Sequence, residues 1–166
     1  MGKAVRHANK GVGAEKVLGS NEERKLLRAL HAKDRELVRF LLATGARISE
    51  ALGIHEQDIT PMAGHYAIRL LGKGNKIRTV YYDRVVSFHG SRTAITNRIR
   101  RASRRVLGRS LSAHCMRHTF ATRQIAAGRS LTAVSRYLGH SSVAITGDLY
   151  VHDDLTWDDL KGGAGA

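Results

Sequence analysis

Residues 112–128 read SAHCMRHTFATRQIAAG. The run from Ser112 to Ala127 predicts a long helix, and Gly128 stands at the position where helices close in a left-handed turn. His114, Arg117 and His118 are spaced i, i+3 and i+4, so they share one helix face. That face admits three readings. Two histidines one turn apart hold a metal in zinc proteases, but there a glutamate follows the first histidine, and here the position is Cys115. No further Cys/His group has ligand spacing, so no metal is expected. The face is otherwise either plainly solvated or a phosphate clamp. An arginine flanked by histidines suits the clamp, because all three donate hydrogen bonds to non-bridging oxygens.

Working outward, Ser130 caps a helix through Leu138 that Gly139 closes, and His140-Ser141-Ser142 follow. A helix is expected from Ser142 to about Tyr150, and Leu155, Trp157 and Leu160 predict a last short one. Alone, His140 reads as a loop histidine and Tyr150 as a half-buried aromatic. On the other side, a helix starts near Thr93. Ile95, Ile99, Ala102 and Val106 form its buried face, and Arg98, Arg101, Arg104 and Arg105 are candidate contacts for a phosphate backbone. Further upstream the period changes to two. Tyr66, Ile68 and Leu70 alternate, Gly72-Lys73-Gly74-Asn75 signals a turn, and Ile77, Thr79 and Val80 to Tyr82 return. This predicts a β-hairpin, with a third strand near Asp58–Thr60. Lys73 at the tip reads as solvated on its own.

Three helices come first. Ser20 opens one with Glu23 at capping-box spacing. Asp34 is a cap candidate for a second, which carries Leu37, Val38, Leu41 and Leu42 and ends at Thr44-Gly45. Arg47 to Gly53 forms a short third. A helix N-terminus favours anions, and Arg47 adds a fork of donors there. Glu50, one turn on, either orients that guanidinium or makes an ordinary surface ion pair. The fold class is therefore α+β: mainly helical, with a small antiparallel hairpin or three-stranded sheet. Residues 1–19, basic and rich in glycine, are expected to be a flexible arm, 20–161 one domain, and 162–166 a flexible tail.

Composition narrows the partner. The chain has 166 residues, 28 Lys+Arg against 14 Asp+Glu, and a formal net charge of +14. Such an excess favours a polyanion through counterion release. An anionic membrane is the alternative, although no apolar run is long enough to span one. Aromatics are only 5%, which argues for duplex backbone binding over base stacking on single strands. The single cysteine, Cys115, forms no internal disulfide and suits a reducing cytosol.

The order of the parts adds more. Thr44-Gly45-Ala46-Arg47-Ile48-Ser49-Glu50, Gly72-Lys73-Gly74, His114 to Thr122, Leu138-Gly139-His140-Ser141-Ser142 and Tyr150-Val151-His152 follow one another. The chain thereby resembles the catalytic domain of the tyrosine recombinase (phage integrase) family from about Ser20 to His152. The resemblance implies a fold and a reaction. Arg47 and Arg117 match the two arginines that clamp the scissile phosphate, and His114 matches a histidine that assists as base or ligand. His140 matches a donor to a non-bridging oxygen, and Lys73 the acid for the leaving 5′ oxygen. Tyr150 matches the nucleophile that forms a 3′-phosphotyrosyl link, and Glu50 a supporting carboxylate. No cofactor, metal or ATP is implied.

Double-stranded DNA is the expected partner, bound by a dimer or tetramer; Leu155, Trp157 and Leu160 in the segment Leu155–Leu160 either dock on a neighbouring protomer or pack on the parent domain. The expected location is the cytoplasm, at the nucleoid in a bacterium or archaeon. A type IB topoisomerase-like enzyme and a non-catalytic DNA-binding regulator are the alternatives. Relatives usually carry a separate N-terminal DNA-binding domain, which is expected to be absent here. The chain then reads as an excised catalytic domain or as a short form that uses its basic arm.

Overall fold

The computed structural model of the chain describes residues 17–139 and 155–161. Helices α1 (Ser20–Ala29), α2 (Ala32–Thr44) and α3 (Ile48–Leu52) precede strands β1 (Ile59–Met62), β2 (His65–Leu71) and β3 (Ile77–Tyr82). Helices α4 (Arg92–Leu107), α5 (Ala113–Ala126), α6 (Leu131–Tyr137) and α7 (Trp157–Lys161) follow. The strands form one antiparallel sheet in the order β1-β2-β3. The α+β expectation and its third strand are therefore both met.

Helix α2 is the centre of the packing. Leu37, Val38, Phe40, Leu41 and Leu42 are all buried along it, more of its surface than a one-sided amphipathic helix hides. It lies against α5 and β3, while α1 lies against α4. In the sheet, Tyr66 faces Tyr82, Ile68 faces Val80 and Leu70 faces Arg78. The pleat turns these pairs toward the core and leaves Leu71 and Ile77 exposed. The hairpin expectation held, but the inward residue at the base of β3 is Arg78, not Ile77.

Two expected caps moved, for one reason. The Gly19 N–H donates to Glu22 Oε2 at 3.1 Å, so α1 is capped one residue earlier than Ser20 and Glu23 suggest. Glu23 instead accepts from Arg123 of α5 at 2.6 Å. Asp34 does not cap α2, which starts after His31. It is buried, and it accepts two bonds from Arg98 of α4, at 2.6 and 2.8 Å. A forked guanidinium on a buried carboxylate is a stronger partner than a backbone N–H. The Arg98 fork thereby ties α4 to α2, while its side chain stays 45% exposed.

The expected basic arm also shortens. Leu18 is buried, its N–H donates to Thr119 Oγ1 at 2.9 Å, and Arg123 and Arg109 donate to the Leu18 and Val17 carbonyls. An apolar residue between α1 and α5 pins the chain there. The rest of the arm, residues 1–16, and the expected tail 162–166 lie outside the described residues.

At the C-terminal side, Leu155 and Leu160 are buried in the domain itself, and the Trp157 indole stacks on His65 with ring centroids 4.7 Å apart. The apolar residues assigned to subunit assembly are thus used in the chain's own packing, with Arg129 and Asp159 paired beside them at 2.7 Å.

Gly45 is where α2, α5 and α6 converge. Its φ is +64°, and a Cβ there would sit 2.5 Å from Leu138 Cδ2 and 2.6 Å from Phe120 Cδ1. Gly45→Ala combines a left-handed backbone with overpacking, each costing about 1 kcal/mol or more. A loss of about 3 kcal/mol is expected in urea unfolding. A change below about 1 kcal/mol would contradict this packing.

Candidate active site

Three elements meet at an open cleft of about 420 Å3. The start of α3 brings Arg47 and Ser49, the first turn of α5 brings Ser112, His114 and Arg117, and α4 brings Arg92, Thr96, Asn97 and Arg100. The sequence-predicted residues Arg47, His114 and Arg117 therefore converge, although 70 residues separate the first from the last.

Arg117 lies low in the cleft, only 7% exposed. It donates to Gly45 O at 2.7 Å and to Leu138 O at 2.6 Å. These carbonyls belong to the C-terminal ends of α2 and α6, where helices leave acceptors unpaired and carry partial negative charge. Two of five guanidinium N–H groups are used this way, and the side chain is fixed beneath the cleft. His114 is exposed at the rim.

Arg47 precedes α3, and Glu50 holds it twice. The Arg47 N–H donates to Glu50 Oε2 and its guanidinium to Glu50 Oε1, both at 2.8 Å. The surface-pair reading fails because the Glu50 side chain is only 2% exposed. Glu50 has a second cation, Arg78 of β3, whose NH2 group meets Oε2 at 2.8 Å. Arg78 also donates to Tyr137 O at 2.9 Å.

Charge in this group is unbalanced. Among the described residues, Arg47, Arg78 and Arg117 surround one carboxylate, Glu50. Burial, then the two neighbouring guanidiniums, lower the Arg117 pKa from the ordinary arginine range to about 10. Arg117 stays protonated at neutral pH, in a place where one more anion is favoured. For Glu50, burial pushes the carboxyl up, but Arg78 and Arg47 outweigh it and hold it below the ordinary carboxylate range.

A carboxylate with a lowered folded pKa contributes stability above its unfolded value of about 4.3, lost as pH falls through the folded one. Glu50→Gln is expected to cost about 2 kcal/mol at pH 7 and to flatten the loss of stability between pH 5 and pH 3. Unfolding curves at these pH values check it; an unchanged acid slope would contradict the assignment.

Lys73 stands exposed at the hairpin tip and does not line the cleft. His140 and Tyr150 lie outside the described residues. Of the α4 arginines, Arg101, Arg104 and Arg105 line a second groove with Asn97 and Arg100. Since Asn97 and Arg100 line both, the cleft and the groove form one basic track along α4. Arg105 also donates to Ala29 O at 3.2 Å.

Sequence reasoning missed Arg78, Asn97 and Arg100 as site residues. The signal for the last two was helical spacing: Thr93, Asn97, Arg100 and Arg104 share a face. The signal for Arg78 was the period of two running back from Tyr82 and Val80.

Comparison with known proteins gives the family. Tyrosine recombinase XerD of Staphylococcus saprophyticus is 32% identical over 150 residues, covering 72% of this chain and 50% of that protein. Tyrosine recombinase XerC of Mycobacterium tuberculosis is 33% identical over 153 residues, covering 74% and 50%. The chain thus spans about half the length of these relatives. Among solved structures, the XerH site-specific recombinase bound to its difH substrate superposes with a TM-score of 0.65 at 25% identity, covering 76% of this chain and 47% of that one. The profile of the Phage integrase family matches residues 16–86 and 85–156. By that match, and by the residues gathered at the cleft, the chain belongs to the phage integrase family of tyrosine recombinases.

Proposed function

We propose that this chain is the catalytic unit of a site-specific DNA recombinase that cleaves and rejoins strands through a 3′-phosphotyrosyl intermediate on Tyr150. The observation that carries the reading is the convergence of Arg47, His114 and Arg117 on one cleft where, among the described residues, Glu50 is a single, already shared carboxylate. A phosphodiester supplies the missing anion. In the proposed step the Tyr150 oxygen attacks phosphorus. A Tyr–O–P bond forms as the bond to the 5′ oxygen breaks. The phenolic proton passes to His114, and Lys73 gives a proton to the leaving oxygen. Arg47, Arg117 and His140 stabilise the charge on the non-bridging oxygens.

An isolated tyrosine has a pKa of about 10, so it needs such a base and such a field to act at neutral pH. The covalent link conserves the bond energy, and a 5′ hydroxyl reverses the step without ATP or any cofactor. Double-stranded DNA is the proposed partner, its backbone following the α4 track past Arg100, Arg101, Arg104 and Arg105. Two such units would cleave a site, and four across two sites would exchange strands, the 5′ hydroxyl of each site attacking the phosphotyrosine of the other. In a bacterium or archaeon, the proposed DNA partner is the nucleoid.

The test is incubation with supercoiled plasmid that carries two copies of the DNA sequence the protein selects, beside plasmid that carries none. Recombinant circles from the first plasmid alone support the reading. Equal relaxation of both would replace it with a type IB topoisomerase. Binding without any strand cleavage would replace it with a DNA-binding regulator.

A further inference from the structure

Arg78 touches three parts of the fold at once. Its side chain is 11% exposed, on the inner face of β3 opposite Leu70. One amino group holds Glu50 Oε2, and the other holds the Tyr137 carbonyl at the end of α6. Its stem runs under Gly139, where a Cβ would lie 3.1 Å from Arg78 Cδ. The hairpin crosses the same carboxylate at Gly72, where a Cβ would lie 3.3 Å from both Glu50 Oε1 and Lys76 O. The Gly72 N–H closes the hairpin on Lys76 O at 2.8 Å.

We propose that Arg78 is a positioning residue that seats the Lys73 hairpin on the Glu50–Arg47 pair and so sets where the Lys73 ammonium meets the leaving oxygen. This rests on the recombinase reading above. Beyond Ile68, where β1 stops pairing, the sheet narrows to two strands, and a two-stranded hairpin is marginally rigid by itself. Lys73 lies three residues beyond Leu70, the partner of Arg78 across the hairpin, at most about 10 Å at strand rise, so a rotation of about 6° there moves the tip by about an ångström. A displacement of about 1 Å can cost about a hundredfold in rate. Arg78 is the buried polar anchor at that base, and Glu50 is the point it shares with Arg47.

The test uses single-turnover cleavage by the full chain of a nicked duplex, with either an ordinary 5′ oxygen or a 5′-bridging sulfur at the scissile phosphate. A thiol of pKa about 8.5 leaves without a proton donor, so the sulfur substrate bypasses Lys73 but still needs Arg47. Arg78→Lys, which cannot span Glu50 and Tyr137 O together, is expected to cleave the oxygen substrate about a hundredfold more slowly. On the sulfur substrate it should match wild type within about threefold, as should Lys73→Ala, with DNA affinity changed by less than about threefold.

Equal slowing on both substrates would overturn the proposal and place Arg78 in the phosphate clamp or in folding alone. An unimpaired rate on oxygen would overturn it as well. Arg78→Gln gives a second reading, should Arg78→Lys fail to fold. Its shorter amide also cannot span Glu50 and Tyr137 O together, it leaves the Glu50 Oε1 contact with Arg47 untouched, and it is expected to show the same sulfur rescue; wild-type rates on both substrates would count against the proposal. A wild-type protein that forms no adduct with either duplex would instead refute the recombinase reading beneath it.

Discussion

Arg117→Lys is expected to slow DNA strand cleavage by about a thousandfold while leaving a folded protein that still binds duplex DNA. Two effects add. First, the Arg117 fork holds Gly45 O and Leu138 O and still presents N–H groups to the cleft. A lysine ammonium reaches one of those carbonyls at most and makes no bidentate contact with a phosphate. Losing one preorganised donor from a developing anionic centre costs about a hundredfold to a thousandfold. Second, burial and the charges of Arg47 and Arg78 bring the arginine down to about 10. A lysine starts lower, at about 10.4, so the same surroundings hold its charge less firmly. Rate constants for single-turnover cleavage, with DNA affinity measured beside them, check both effects. A rate within tenfold of wild type would remove Arg117 from the clamp.

The second large effect concerns Tyr150. Phenylalanine there keeps the ring and removes only the attacking oxygen. Tyr150→Phe is therefore expected to abolish adduct formation altogether, a loss set by the detection limit, while duplex binding stays within about threefold. The contrast with Arg117→Lys is diagnostic. Loss of a stabilising donor slows the step, whereas loss of the nucleophile leaves no step to slow.

What was legible in the sequence follows the range of the interactions. His114 and Arg117 were visible because helical spacing is local and puts them on one face. Arg47 and Glu50 were visible for the same reason, one turn apart. The hairpin announced itself by alternation and by Gly72-Lys73-Gly74-Asn75. Asp34 was misread as a helix cap because its true partner, Arg98, lies 64 positions away. Nothing local distinguishes a capping aspartate from one that a distant guanidinium claims.

Arg78 was hidden in a similar way. It is one basic residue among 28, and only the strand register shows that it points inward. Leu18 looked like part of a basic arm because its neighbours set the composition, yet the gap between α1 and α5 takes it in. Leu155 and Leu160 looked available to a neighbouring subunit, and whether an apolar residue packs at home or abroad is not written in its spacing.

The most direct test of the central claim is to trap the wild-type chain on a nicked duplex and locate the linkage. A covalent complex should form in which the 3′ phosphate is esterified to one peptide. Mass spectrometry of that peptide should place the phosphodiester on Tyr150, and the Tyr150→Phe protein should give no complex. A DNA adduct on any other residue, or an adduct of equal yield from Tyr150→Phe, would contradict the account.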